Sequence, residues 1–455
     1  MPAIIHEPAR ATTIACEVDC CIVGGSCTGV FAAIQAARLG LRVAIIEIHN
    51  QFGGVATARM VNVWHSLFNS QGDQQIIGGL TEDVMRRLER RQALIERADN
   101  NPSWQFCFNP AELACELDEM VAEHEGIRPF LHCRMVSAQR DHQGAVTHII
   151  IEDKNGRRAI ACRYVIDASG DADVVRRLGL PTRAPVDAQP PTMAGIIEGI
   201  AWLNQHQPGF NLNRTLFDPA NPRALSRGTL WTAPLPGSLT QTMVFGTRVH
   251  GVNCADADDL TRAEREGRAQ LRRIVDLLRE KHGAHTAVNL TAIPASIGIR
   301  ETHHVHCLHQ LTEQELLSGE AFPDSIAVGT YRVDIHHQGG AGLTFRYLDG
   351  REIVTDGIGG SRERRWRSVH APTPPCYHVP YRSMLPQNVP NLLVAGRHID
   401  ADRGAFGAIR VCVNCNQMGE AAGAAVALAQ RGGLAVAEVK AEQIRSVLGR
   451  DRRLS

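Results

Sequence analysis

Residues 19–29 read Asp-Cys-Cys-Ile-Val-Gly-Gly-Ser-Cys-Thr-Gly, an apolar run into a glycine-rich turn, and the alanine-rich stretch that follows ends at Gly40. Cys20 to Val23 are apolar and partly β-branched, which predicts a buried strand. Val30 to Leu39 predict a helix, with Gly40 where a C-terminus takes a left-handed residue. Few folds open with strand, tight turn and close-packed helix in that order. In a Rossmann-like unit Gly24 permits the turn and Gly29 lets the helix lie against the strand, while the helix start, with its free N–H groups and the positive end of its dipole, holds a pyrophosphate. Ser26 stands where the G-x-G-x-x-G pattern has its second glycine, so a hydroxyl is expected to face the phosphates. The next strand, Leu41 to Ile46, ends in Glu47, about 20 residues on, where an acid accepts from ribose hydroxyls and repels a 2′-phosphate. The pattern predicts FAD or NAD rather than NADP. The competing interpretation is a glycine-rich turn that holds no ligand.

At 455 residues the chain has room for two or three domains and a large core. Lys plus Arg number 48 and Asp plus Glu number 48, a balance that argues against a footprint for nucleic acid or anionic lipid. The basic runs at 86–91 and 362–367 are interleaved with Glu89 and Glu363 and read as solvated faces. The first residues lack the basic and apolar regions of a leader, and no stretch is long enough to span a bilayer, so a cytoplasmic protein without a membrane partner is expected. The 13 Cys are odd in number and scattered, which fits reduced, buried thiols rather than a disulfide framework. Cys412-x-x-Cys415 is either a redox or metal pair or two small residues at a tightly packed helix start.

A second glycine turn, Gly53-Gly54, follows soon after Glu47 and lets the backbone pass close to the cofactor. Helices are predicted over Thr81–Ile95, opened by Thr81-Glu82-Asp83 in capping style, and from Asn109-Pro110 onward. Strands near 127–131 and 148–152 are separated by turns at 142–144 and Asn155-Gly156, the latter a strong hairpin signal. Another buried strand, 163–167, ends in Ala168-Ser169-Gly170. From about Gly195 to Thr373 the texture changes to Pro, Gly and His among short strands, with one long helix between Asp256 and His282, and this predicts an inserted second domain. The pattern turns compact again from Tyr377, with an apolar strand 391–395 ending at Gly396-Arg397 and a small-residue helix over 416–430.

With these strands, widely separated yet all ending in small residues, the chain resembles the FAD-dependent oxidoreductases of the glutathione-reductase-like class, in the branch related to fumarate reductase and succinate dehydrogenase flavoprotein subunits. The resemblance rests on the turn at 23–29 and on segments 53–57, 166–173, 298–302, 334–337, 377–381, 395–397, 407–410 and 419–423. It implies an α/β fold: a Rossmann-like FAD-binding domain built from both chain ends, 1–194 and 374–455, with an inserted α+β substrate or cap domain, 195–373. It also implies that Gly24, Gly25, Ser26 and Gly29 hold the pyrophosphate of FAD and Glu47 the adenosine ribose. Gly53 and Gly54 lie beside the cofactor, Ala168, Ser169 and Gly170 pass its adenosine and ribityl side, and Gly396 and Arg397 approach the ribityl. A helix beginning near Asn416 points its N-terminus at the flavin pyrimidine, where a reduced flavin carries negative charge.

A flavin that accepts a hydride needs a group for the paired proton and often a cation for a substrate oxygen. His336 and His337 are the proton candidates because they titrate near neutrality, the alternative being structural histidines bonded to Asp334 or backbone. Arg410 and Arg300 are the cation candidates, the alternative being arginine–acid pairs that join two domains. Tyr377 and His378 are placed to line the same cleft. His303, His304, His306 and His309 read as satisfied or solvated histidines rather than a metal site, and no metal is expected. The function expected is an FAD-dependent dehydrogenase or reductase exchanging a hydride between flavin N5 and a small polar organic substrate, with an electron acceptor of unspecified kind. The alternative is an electron-transfer flavoprotein subunit of a larger redox complex.

Overall fold

The computed structural model describes residues 4–97, 105–225, 229–338, 342–356 and 360–449. Its central element is a seven-stranded mixed sheet. The opening strand Thr13–Val23 runs parallel to Val43–Ile46 on one side and to Gly156–Asp167 on the other, and Ile127–Phe130 extends the parallel edge. Leu392–Val394, from far along the chain, pairs in parallel with Val165–Asp167. Val146–Asp153 and Arg134–Arg140 complete the sheet as an antiparallel meander, and the hairpin falls at Asn155-Gly156 as expected. One long strand, Gly156–Asp167, thus serves the meander with its first half and the C-terminal strand with its second. Asn391 closes the gap between them: its Nδ2 donates to Arg163 O at 2.6 Å and Val146 O at 2.7 Å, and its Oδ1 accepts from Val146 N at 2.8 Å.

Strands buried on both faces read as continuous apolar runs, and Cys20–Val23 and Val43–Ile46 are buried throughout. The covering helices explain the glycine and alanine content of two remote segments. Helix Cys27–Arg38 packs on helix Cys412–Gly432 so closely that a Cβ on Gly419 would lie 2.1 Å from Thr28 O and one on Gly423 2.3 Å from Ala32 O. Only a stripe of small residues lets two helix backbones meet in this way.

A second apolar core gathers residues from Met193 to Ile299. There the long helix Ala257–His282, N-capped by Asp256 as its sequence predicts, covers a four-stranded antiparallel sheet in the order Trp231–Pro234, Gln241–Phe245, Gly195–Glu198, Asn289–Ala292. A further antiparallel sheet of four strands runs from Val333–His336 through Leu343–Arg346 and Arg351–Thr355 to Ser361–Arg365. Its Val333 and Ile335 join the main core, against helix Arg403–Ile409. The architecture is α/β, with a Rossmann-like unit drawn from both ends of the chain.

Two helix expectations are corrected. Thr81–Ile95 is a helix only over Leu80–Arg90, starting after Gly79 without a side-chain cap. The chain then reverses at Gln92, and Leu94–Arg97 pairs as a strand with Gln105–Phe108, so Leu94 and Ile95 answer to a ladder rather than a helix face. The helix expected near Asn416 begins at Cys412, one turn earlier, because Val411 occupies the N-cap and offers no polar signal. Helix Ala441–Val447 was not anticipated. Among the described residues no helix is long and apolar enough to cross a membrane.

Candidate functional site

Gly24 has φ +105° and donates its N–H to Ile46 O at 2.9 Å, which ends the first strand in a turn. A Cβ on Gly29 would lie 1.8 Å from Gly24 O, so the helix start is held against the turn by backbone alone. Ser26 caps that helix, its Oγ accepting from Gly29 N at 3.4 Å; the hydroxyl is turned into the helix rather than left facing the groove. Glu47 is buried. Its Oε2 accepts from Gly25 N at 2.8 Å and its Oε1 from His49 N at 2.9 Å, so the acid expected at the ribose also braces the turn, with lone pairs to spare on both oxygens. The second glycine turn is pinned to the first by a bond from Gly53 N to Gly25 O at 2.8 Å.

The strand ending at Asp167 reaches the same place, with Ala168 N bonded to Val23 O at 2.8 Å. Ser169 donates its hydroxyl to Asp167 Oδ1 at 2.6 Å, and Asp167 Oδ2 accepts from Val174 N at 2.9 Å, so this buried carboxylate organises the loop around Gly170. Asp171 follows. It pairs with Arg397 at 2.5 Å and accepts from Thr302 at 2.6 Å. Burial alone would raise its carboxyl, but Arg397, Thr302 and Arg59 hold it below the usual range. Arg59 escaped the sequence reading, although it follows the second glycine turn directly. It lies within electrostatic reach of Arg397, Asp171 and Glu47, and its Nε donates to Ile297 O at 3.2 Å.

Gly396 has φ +114°, and a Cβ there would meet nothing nearer than 3.9 Å, the closest atoms being Thr28 and His398 Nδ1. His398 is fully buried beside Asp167, with Nε2 3.6 Å from Asp167 Oδ1, and neither ring nitrogen reaches full hydrogen-bond geometry. An open cradle lined by such an imidazole fits a polar ligand running past Gly396.

A second polar cluster lies where strand Val333–His336 meets the end of helix Arg403–Ile409, whose C-cap is Arg410. Arg410 Nη2 donates to Asp334 Oδ2 at 3.0 Å, Tyr331 donates its hydroxyl to the same oxygen at 2.9 Å, and His336 Nε2 stands 3.3 Å from Oδ1. Burial opposes the Asp334 charge, but His336, Arg410 and Arg332 overcome it and hold its carboxyl well below the usual range. Burial first, then Arg300, pushes His336 down to about 3. The imidazole is therefore neutral at pH 7. With Nε2 turned to a carboxylate, Nδ1 keeps a free lone pair and has no partner. Arg300 donates to Pro190 O.

Other sequence candidates fall elsewhere. His337 turns away from His336 and bonds Thr344 Oγ1 at 2.9 Å. Tyr377 is fully buried, donating to Ala408 O at 3.3 Å and accepting from Asn414 Nδ2 at 2.6 Å, so its hydroxyl is engaged on both sides. Asn416 is buried one turn inside its helix, its Nδ2 donating to Thr81 Oγ1 at 3.2 Å, and the helix start belongs to Cys412. His378 stands beside Cys376 at 3.9 Å. Cys412 and Cys415 are free thiols pushed up by burial to about 11 and about 12. His303 pairs with Thr182, His304 with Glu301 at 2.9 Å and His309 with Glu315 at 3.2 Å. Among the described residues no group of three or more His, Cys, Asp or Glu could hold a metal ion.

The turn, the parallel sheet and the braced acid define a dinucleotide-binding enzyme of the Rossmann-like class. Residues 19–448 match the family model described as FAD dependent oxidoreductase, and the chain belongs to that family. FAD is its cofactor, and the open cradle at Gly396 with the buried His398 fits it. Solved structures similar to this chain include a geranylgeranyl bacteriochlorophyll reductase-like protein from Thermoplasma acidophilum, at 12% identity and TM-score 0.47, covering 95% of this chain and 82% of that one. Another is p-nitrophenol 4-monooxygenase PnpA from Pseudomonas putida, at 11% identity and TM-score 0.46, covering 95% and 86%. A third is PqsL from P. aeruginosa in complex with 2-aminobenzoylacetate, at 14% identity and TM-score 0.43, covering 96% and 94%. Comparison with curated proteins gives no match.

The buried histidines make the fold acid-sensitive. His65, His336 and His398 are each pushed down to about 3, in every case mainly by burial. A group held below its unfolded value of about 6.5 takes its proton only on unfolding, so stability is lost as pH falls from about 6.5 towards 3. Asp173, raised to about 6 by burial and by Asp167 and Asp171, and Asp167, raised by burial, act in the opposite sense. The histidines outnumber these carboxyls, and each net proton taken up on unfolding is worth about 1.4 kcal/mol per pH unit near pH 5. Thermal unfolding followed by circular dichroism is expected to shift steeply downward between pH 7 and pH 5. A flat profile would show that these histidines titrate normally.

Proposed function

We propose that this oxidoreductase exchanges a hydride between flavin N5 and a small polar organic substrate seated at the Asp334–His336–Arg410 cluster. The observation that carries the proposal is His336, a buried imidazole oriented through Nε2 by Asp334 and left with an unpartnered Nδ1. FAD, when bound, supplies the electron-pair acceptor or donor at N5. The chain's own residues do the rest. The turn at Gly24–Gly29 offers backbone N–H groups to the pyrophosphate, Arg59 and Arg397 stand nearby as cations, and Glu47 receives the ribose. His336 Nδ1 takes or returns the substrate proton, and Arg410 steadies charge on a substrate oxygen while it anchors Asp334. The motifs that resemble the fumarate reductase branch support a substrate or cap domain over residues 195–373, which itself contributes Asp334 and His336 to this site.

The test is anaerobic mixing of the purified yellow protein with hydroxy acids, sugars, amines and enoates. FAD released on denaturation and bleaching by one class are the expected results. Failure of every donor to bleach the flavin, with reduction only by a protein partner, would instead support the electron-transfer subunit.

A further inference from the structure

We propose that the polar cluster around His336 takes a small hydroxycarboxylate, its carboxylate held by Arg300 and Gln189 and its hydroxyl donating to His336 Nδ1. The proposal rests on the substrate placement given above and names the class of molecule placed there.

Arg300 carries five N–H donors and spends one nitrogen on the Pro190 carbonyl. Among the described residues no carboxylate stands within ion-pair distance of it. Asp334, the nearby acid, is engaged through Oδ2 with Arg410 and Tyr331, and its Oδ1 faces His336 Nε2 at 3.3 Å. Arg410 and Arg248 add like charge to the surroundings, and together with burial they push the Arg300 guanidinium down to about 9. Arg300 is half-buried, and the Asp334 carboxylate, which opposes this shift, does not touch it, so a bound anion would give the guanidinium the direct counter-charge that it lacks.

Gln189 supplies the second clue. It is 1% exposed, its backbone N–H bonds Glu301 at 2.9 Å, and its Oε1 accepts from His336 N at 3.2 Å, yet its Nε2 has no partner. His336 Nδ1, the third unmet group, is an acceptor. Arg410 Nε and Asp334 Oδ1 are also without hydrogen-bond partners in this cluster; Asp334 Oδ1 faces His336 Nε2, and the donors of Arg300 and Gln189 with the His336 Nδ1 acceptor are complemented by two acceptors and one donor, which is a carboxylate with a neighbouring hydroxyl. An ammonium in place of the hydroxyl would be repelled by the surrounding guanidiniums. One unpaired guanidinium matches the single charge of a carboxylate better than the double charge of a phosphate.

The test uses the FAD-loaded protein, titrated by calorimetry and by perturbation of the flavin spectrum with lactate, propionate, methyl lactate, alanine and inorganic phosphate. Lactate is expected to bind tightest, methyl lactate about 10–100-fold more weakly for loss of the charged hydrogen bonds, and propionate about 3–10-fold more weakly for loss of the hydroxyl. Arg300→Gln is expected to abolish discrimination between acid and ester, and His336→Phe to abolish discrimination between lactate and propionate while sparing the first. Equal binding of acid and ester, preference for phosphate or alanine, or no binding of any acid overturns the proposal. Should Arg300→Gln fail to fold, the ligand series on the unaltered protein decides alone. Lactate binding without bleaching leaves the anion site standing while the hydride proposal falls; bleaching by a neutral donor, with no preference for acids, does the reverse.

Discussion

Replacing His336 by Gln is expected to leave FAD content and thermal stability near those of the parent protein while slowing flavin reduction by about 10²–10⁴-fold, the range set by loss of a positioned proton-transfer group. Stopped-flow absorbance under anaerobic conditions, once a bleaching substrate is in hand, measures the rate. The neighbouring residue provides the control. His337 bonds Thr344 on the other side of the strand, so His337→Gln is expected to reduce its flavin at close to the parent rate. Because burial keeps His336 neutral down to about 3, its titration puts no acid limb on the reduction rate between pH 5 and pH 8. Equal losses in the two variants, or none in His336→Gln, would make the Asp334–His336 contact a structural one and direct attention to Arg300.

The second large effect is expected at Gly29. An alanine methyl there would stand 1.8 Å from Gly24 O, and the obstructing atom is backbone, with no side chain able to swing away. The helix Cys27–Arg38 must then lift from the turn, which also disturbs its contact with helix Cys412–Gly432. Gly29→Ala is expected to destabilise the protein by about 1–3 kcal/mol, the usual range for overpacking, and to yield a largely colourless protein after gel filtration. A yellow protein with the parent's unfolding midpoint would show that the turn can relax at no cost.

Local chemistry was legible in the sequence. The opening strand, turn and helix, the Asn155-Gly156 hairpin and the long helix after Asp256 each carry their signal within a few residues, and each lies where that signal falls. His336, Arg410 and Arg300 were singled out because they sit in motif segments, and the structure brings them around Asp334. What escaped depends on partners far apart in the chain. Arg59 acquires meaning from Asp171 and Arg397, Gln189 from Glu301 and His336, and His398 from Asp167. No periodicity announces such meetings. The start of the helix that carries Asn416 is hidden for another reason: it follows Val411, which leaves no polar cap to mark the first turn.

The pairing of Leu392–Val394 with Val165–Asp167 has a consequence for biosynthesis. While the chain is being made, the second half of the Gly156–Asp167 strand is an open sheet edge, and it stays open until the ribosome has passed residue 394. The gap-filling Asn391 and the helix Cys412–Gly432, whose glycines receive helix Cys27–Arg38, arrive equally late. The nascent N-terminal part therefore carries an unpaired edge and an uncovered apolar helix face until those residues are made, the condition that favours chaperone engagement and misassociation. FAD can be enclosed only once helix Cys412–Gly432 has been made, and a chain stopped short of that helix would be a nucleotide turn without a lid of packed backbone to hold its nucleotide.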